Sequence, residues 1–250
     1  MERPDSARGV RVARVGAGLP RVYSERPVAS TAGSRVILDA EAAHHLRVRR
    51  VREGERVGVT DGRGGLAEGV LDSLGRNEAT VEVVRSELVE RQGRIHLLAP
   101  VGDRDRMLWL AEKATELELT GWQPVRWQRS RSVSPRGEGE GFRVKVRARM
   151  VSALLQSGGA WLPDVLPESE PETALAGGDG HRVVLHMTGP PFAREGIVPP
   201  VSVALGPEGG LEDGELELAT SMGWRFVSLG RSVLRFETAG VVALGMLRGG

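Results

Sequence analysis

A chain of 250 residues, 27% of them charged and 40% hydrophobic, has the size and composition of one large or two small globular domains. Its net charge of +1 excludes a histone-like polyelectrolyte, and the absence of cysteine excludes disulfides, thiolate metal sites and every cysteine-nucleophile mechanism. No apolar run approaches the ~20 residues that span a bilayer and no signal core opens the chain, so a soluble, cytoplasmic protein with no membrane partner is expected.

Residues 1–19 are rich in arginine and glycine, show no sustained period and read as a disordered tail whose removal leaves folding and activity intact. From residue 20 to about 90 the signals are short Val- and Ile-rich strands at 35–39, 56–60, 66–71 and 79–84, with one short helix over 41–51. The turn Asp61-Gly62-Arg63-Gly64-Gly65 separates two of these strands. A small β-barrel or sandwich of about 70 residues fits this pattern, a size at which domains still fold alone.

From residue 93 to 250 strands alternate with helices. A strand at 95–99 precedes a helix capped by Asp103, in which Met107, Leu110, Ala111, Ala114 and Leu117 recur at helical spacing and which Gly121 stops. A strand at 122–127 and a helix at 143–156 follow, the latter on the spacing of Val144, Ala148, Val151 and Leu155. Strands at 183–186, 201–205 and 226–229 come next, with helices near 212–222 and 237–247. The alternation predicts an α/β domain on a mainly parallel sheet. Trp109 and Trp122 read as core residues.

Two segments near the end join a strand to a helix through a loop. One is Leu205-Gly206-Pro207-Glu208-Gly209-Gly210 and the other runs from Leu229-Gly230 through Leu234-Arg235-Phe236-Glu237-Thr238. Ligands of open α/β sheets sit beyond the carboxyl ends of strands, and glycine lets the backbone approach a ligand closely. The two loops therefore either form one pocket or are two ordinary strand–helix turns. A valine at Gly209 is expected to fill such a pocket and to resist a positive φ. The nucleotide-binding glycine patterns are absent, and Glu208 would repel a phosphate; a ligand with a cationic centre fits better. The five histidines lack metal-ligand spacing and no metal is expected. His186, at the end of a strand, either lines a pocket or, on the favoured reading, is a satisfied structural side chain.

Charge is uneven along the chain. Residues 126–149 carry a net +6, residues 44–63 a net +3 and residues 205–250 a net −2. The basic stretches are either solvated faces or footprints on a phosphate backbone. Arg143 and Arg147 lie one helical turn apart, so replacing both is expected to flatten the salt dependence of RNA binding if the second reading holds.

The two C-terminal motifs together resemble the signature of the RsmE family, small-subunit rRNA uridine-N3 methyltransferases of the SPOUT superfamily. Lys113-Ala114-Thr115-Glu116-Leu117 is similar to the family's K-x-x-E-L helix, and Gln128-Arg129-Ser130, Gln156-Ser157 and Pro163 are similar to further short motifs. Pro20-Arg21-Val22-Tyr23 and the stretch from His45 to Val51 resemble the opening of its PUA-like domain. The resemblance implies a PUA-like RNA-binding barrel over 20–90 and a knotted α/β methyltransferase domain over 93–250. It implies S-adenosyl-L-methionine as cofactor, 16S rRNA in the small ribosomal subunit as substrate, and a homodimer. Carried over by position, Leu205, Gly206, Glu208, Gly209, Gly210, Leu229, Gly230, Leu234 and Thr238 bind the cofactor, and Arg235, Arg129 and Glu237 are catalytic. The chain departs from the family at Gln128, Leu155, Gly159 and Phe236, where Glu, Glu, Arg and Thr are usual.

The chemistry agrees with the composition. Methylation of uracil at C5 needs a cysteine nucleophile, whereas attack by N3 needs no covalent intermediate, only alignment with the methyl group and loss of the N3 proton. An arginine beside the uracil oxygens favours the N3 anion; Arg235 is the first candidate and Arg129 the second. Because N3 lies on the Watson–Crick edge, the target base must be unpaired or flipped out. The competing readings are a ribose 2′-O-methyltransferase of the same superfamily and a non-catalytic RNA-binding or ribosome-assembly protein.

Overall fold

The computed structural model describes residues 14–28 and 31–249. The chain divides into two compact units, one ending at Val89 and the other beginning at Glu90.

In the first unit β1 (Arg21–Tyr23), β2 (Arg35–Leu38), β3 (Arg56–Thr60), β4 (Gly65–Leu74) and β5 (Ala79–Leu88) form a sheet in the order β1-β3-β4-β5-β2, curled into a half-barrel. β1 runs parallel to β3 and the other pairs are antiparallel. Alternate strand residues such as Val57, Leu71, Val81 and Val83 point into a core shared with Leu46 of α1 (Ala40–Val48). Asp39 starts that helix by accepting the Ala42 N–H at 2.9 Å. β4 and β5 outrun the predicted strands because backbone pairing continues past the apolar alternation, across register shifts at Glu68/Gly69 and Leu71/Ser73.

The predicted tail is corrected over its last six residues. Residues 14–19 make a turn, and Val15 is buried. The Arg21 guanidinium donates to the Val15 carbonyl at 3.1 Å and to the Gly16 carbonyl at 3.3 Å, while the Gly16 N–H donates to Glu68 Oε2 at 3.4 Å. The rest of that tail, residues 1–13, lies outside the described residues. Burial pushes the Glu68 carboxyl up, but its hydrogen bond and ion pair with Arg85 and the nearby Arg56 charge outweigh it and hold the group below the usual carboxylate range. The stability this group lends is therefore present above the unfolded carboxyl pKa and is lost as pH falls through the lower folded value. Deletion through Leu19 removes buried Val15 and the carbonyl partners of Arg21. It is expected to lower the unfolding free energy by about 2 to 4 kcal/mol in a urea titration, and Val15→Asp in the full chain should reproduce much of that loss.

The second unit is built on a six-stranded, all-parallel sheet. Its strands are β6 (Ile95–Pro100), β7 (Gly121–Val125), β8 (Asp164–Val165), β9 (His181–Leu185), β10 (Val201–Leu205) and β11 (Arg225–Val227), in the order β11-β9-β10-β6-β7-β8. β10 is buried along its whole length, as a strand flanked on both sides requires. Among the described residues, four helices of two turns or more belong to this unit: α2 (Arg104–Glu116), α3 (Gly139–Ser157), α5 (Asp213–Ser221) and α6 (Phe236–Arg248), while α4 (Pro171–Ala176) is a short one. The Asp103 side chain accepts the Asp105 and Arg106 N–H groups and so caps α2. That helix stops earlier than predicted, since Glu118 turns the chain at φ 56° and Gly121 opens β7 instead. Trp109 is 43% exposed, against expectation, because it falls off the buried stripe of Met107, Leu110, Ala111 and Ala114; Trp122 is fully buried. At Gly240 of α6 a Cβ would lie 2.8 Å from Leu110 Cδ1 and 3.1 Å from Leu205 Cδ1. Glycine there lets α6 settle against both α2 and β10, directly behind the end of β10.

Candidate active site

In the sheet order, β11, β9, β10 and β6 are neighbours, so their carboxyl ends lie side by side. The chain segments that leave these ends enclose a cavity of about 380 Å³, within the size range of small-molecule sites. From the segment after β10, Gly206, Glu208 and Gly210 line it together with Leu205 at the strand end; from the segment after β11, Leu229, Leu234 and Arg235 do so. These seven were expected from sequence. Five others of that set do not line the cavity: Gly209, Gly230, Thr238, Arg129 and Glu237.

Gly210 carries the left-handed conformation, at φ 76°. Gly209 does not, and a Cβ on it would press on Arg129 Cδ at 3.1 Å. The expectation that a side chain at Gly209 meets positive φ is thus corrected to Gly210. Arg129 lies in a 3-10 turn (Gln128–Ser132) that reaches back to the glycine loop. Its guanidinium donates to the Gly209 carbonyl at 2.5 Å and lies 3.7 Å from Glu212 Oε1. The Gln128 N–H donates to Glu215 Oε1 at 2.8 Å, pinning the same turn to the start of α5.

Glu208 is held from the other side. Its Oε1 accepts the Asp103 N–H at 3.0 Å, which ties the glycine loop to the start of α2. Arg106, in the first turn of α2, places its guanidinium 3.9 Å from Glu208 Oε1 and 3.9 Å from Glu237 Oε1. Glu237 is buried, and its Oε2 has no hydrogen-bond partner among the described residues. Arg235 is exposed at the N-cap of α6, lines the cavity, and makes no ion pair among the described residues. Phe236, the residue that replaces the family's threonine, is buried, with Cε1 3.1 Å from where a Cβ on Gly102 would stand.

Sequence reasoning passed over Arg106 and weighed a pocket-lining role for His186 beside a structural one; both line the cavity. His186 follows β9 directly; its Nδ1 lies 2.8 Å from Thr188 Oγ1 and its ring meets Phe226 edge-on at 5.9 Å. Their signal was position: each sits just beyond the carboxyl end of a strand that neighbours β10.

The basic stretch 126–149 is largely compensated within the protein. Arg126 pairs with Glu138 and Glu168, Arg136 with Glu138, Arg143 with Glu140, and Arg149 with Glu112. Hydrogen bonds from Arg136 and Arg143 hold the Glu138 and Glu140 carboxyls below their usual range. Arg143 thus faces its own helix's acid, and the stretch keeps few free cations for a phosphate backbone.

Comparison with known proteins gives a consistent result. The RNA methyltransferase domain model matches residues 89–248, and the RNA methyltransferase PUA domain model matches residues 38–84. The ribosomal RNA small subunit methyltransferase E of Synechocystis is 30% identical over 223 residues, covering 85% of this chain and 72% of that protein. The protein of the same name from Mycobacterium bovis is 32% identical over 235 residues, covering 85% and 86%. Among solved structures, a Neisseria gonorrhoeae ribosomal RNA small subunit methyltransferase E bound to S-adenosyl methionine superposes with a TM-score of 0.80 at 28% identity, covering 90% of this chain and 95% of that one.

Proposed function

This chain belongs to the RNA methyltransferase family that includes the small-subunit type E enzymes, and we propose that it transfers a methyl group from S-adenosyl-L-methionine to N3 of a uridine in small-subunit rRNA. It is an S-adenosylmethionine-dependent rRNA methyltransferase; the atom methylated is the finer reading. The observation that carries it is the convergence of the two C-terminal loops on one cavity, with Arg235, which makes no ion pair among the described residues, in its wall.

The cavity fits the cofactor by its chemistry. Leu185, Leu205, Leu229 and Leu234 supply apolar walls, glycine backbone supplies close approach, and the charged group of the glycine loop is a carboxylate. That carboxylate tolerates a ligand with a cationic centre better than it would a phosphate placed against the glycine loop. The bound cofactor supplies an electrophilic sulfonium methyl group.

The chain's own residues then orient and polarise. Arg235 faces the uracil oxygens and stabilises the anion that forms as N3 loses its proton. Arg129, engaged by the Gly209 carbonyl and Glu212, fixes the glycine loop rather than touching substrate. Glu237, set beside Arg106, holds that guanidinium at the cavity wall. The knotted chain path, the homodimer and the cytoplasmic site of action belong to the same reading, and no helix among the described residues is long and apolar enough to cross a membrane.

Transfer of isotopically labelled methyl to small ribosomal subunits, followed by digestion to nucleosides, tests the reading. Label in 3-methyluridine is expected. Label in a 2′-O-methylated nucleoside would move the chain to the ribose-directed alternative, and RNA binding without cofactor binding would move it to the scaffold alternative.

A further inference from the structure

We propose that the corner of the first unit where α1 ends beside the β4–β5 turn is the main phosphate-backbone footprint of this protein on RNA, contacting through Arg49, Arg50, Arg52 and Arg76. The inference rests on the RNA-methyltransferase reading for its partner. It rests on the geometry of this corner for its place.

Helix α1 ends in a Schellman motif. The Val51 N–H donates to the Leu46 carbonyl at 3.0 Å and the Arg50 N–H to the Arg47 carbonyl at 2.9 Å. Arg50 occupies the position that normally takes glycine and adopts φ 57°. A side chain held there costs of the order of 1 kcal/mol relative to glycine, so the helix stop alone does not select arginine.

The turn after the helix is bound to the β4–β5 turn. The Arg47 guanidinium donates to the Gly75 carbonyl, Glu53 Oε1 accepts the Leu74 N–H at 2.8 Å, and the Gly54 N–H donates to the Leu71 carbonyl at 2.8 Å. These contacts bring Arg76, next to Gly75, to the same corner as Arg49, Arg50 and Arg52. All four are exposed, and none makes a side-chain hydrogen bond or ion pair among the described residues.

The nearby acids do not neutralise them. Glu53 is engaged by the Leu74 N–H and Glu55 Oε2 by the Arg52 N–H at 3.0 Å, so both serve backbone amides. Of the further acids near this corner among the described residues, Glu78 lies in the β4–β5 turn and Asp72, towards the end of β4, pairs with Arg35 at 3.4 Å. The contrast with stretch 126–149 is direct, since there the acids face the guanidiniums themselves. A helix C-terminus favours cations in its last turn, which accounts for Arg47 and Arg49 but not for Arg52 and Arg76. Four uncompensated guanidinium forks on one exposed corner match a polyanion whose charges repeat along a strand.

The test uses the full chain and a transcript of the small-subunit rRNA, with dissociation constants measured across a KCl series. The triple variant Arg49→Gln, Arg52→Gln, Arg76→Gln is expected to lower the slope of log K against log[salt] by roughly 2, at about 0.7 per lost contact to single-stranded RNA and somewhat more for a duplex. Arg76→Gln alone, in an exposed turn that tolerates substitution, should lower it by about 0.7, which keeps the test informative should the triple variant unfold. Replacing Arg143 and Arg147 with alanine should leave the slope nearly unchanged. A triple variant that folds and keeps the wild-type slope, or a slope that falls with Arg143 and Arg147 instead, overturns the proposal. Methyl transfer separates this from the parent reading: the triple variant should need more RNA than the wild type to reach half of its maximal methylation rate. A wild-type protein that binds RNA steeply with salt but methylates nothing would sink the parent reading and leave the footprint standing.

Discussion

Arg235→Ala is expected to lower the single-turnover methylation rate constant by about 10²- to 10³-fold, roughly 3 to 4 kcal/mol, while leaving cofactor affinity nearly unchanged. The arginine caps α6 with its backbone only, since no side-chain capping bond forms, and its guanidinium lines the cavity without a carboxylate partner among the described residues. On the proposed mechanism, its charge is available to the anion that develops on uracil. Raising the pH should recover part of the lost rate, because bulk base then supplies more of the N3 anion. A purely structural arginine would behave otherwise: its loss would lower thermal stability or cofactor affinity, with no recovery at high pH. Rates for wild type and variant across a pH series, on small ribosomal subunits, decide between the two. Equal rates would remove Arg235 from the mechanism.

Gly210→Val is expected to weaken S-adenosylmethionine binding by about 100-fold or more, equivalent to roughly 3 kcal/mol. Two costs combine. A β-branched residue resists the left-handed backbone that Gly210 adopts at φ 76°, and its side chain would stand in the wall of the cavity. Gly209→Val should act differently, through Arg129. Its Cβ would displace a guanidinium that holds the Gly209 carbonyl, loosening the loop without filling the cavity. Calorimetric titration of both variants distinguishes the routes. A Gly210→Val protein with wild-type affinity would place the cofactor elsewhere.

How far the sequence reveals this molecule depends on the kind of signal. The helix over Arg104–Glu116 was legible because its cap and its apolar stripe agree, and β3 and β10 were legible as short apolar runs between turns. The two glycine loops were legible because they join strands to helices in a parallel domain. Short pieces without periodicity were not: β1, β8, α4 and the 3-10 turn of Arg129 are held by partners distant in sequence. The packed turn at Val15 was hidden for a related reason: nearby Arg21 holds its carbonyls, but Glu68, which accepts the Gly16 N–H, lies 52 residues further along the chain. Charge was the least legible feature. Counting residues gives 126–149 the larger excess, but pairing leaves the freer cations on the corner near Arg50, and pairing is a property of the fold.

Of the site residues, those that follow the ends of β10 and β11 could be placed by motif, while Arg106 and His186 come from other parts of the chain and meet the cavity only through the order of the strands. The placement of Glu208 likewise needed the fold, because its partner, the Asp103 N–H, lies over a hundred positions earlier.

The most direct measurement is nucleoside mass spectrometry of small-subunit rRNA from cells that lack this protein, before and after it is restored. The account predicts that 3-methyluridine disappears on deletion, returns with the wild-type chain, and returns far more slowly with Arg235→Ala. Small-subunit rRNA that keeps its full 3-methyluridine content without the protein, or that loses a ribose methylation instead, would contradict it.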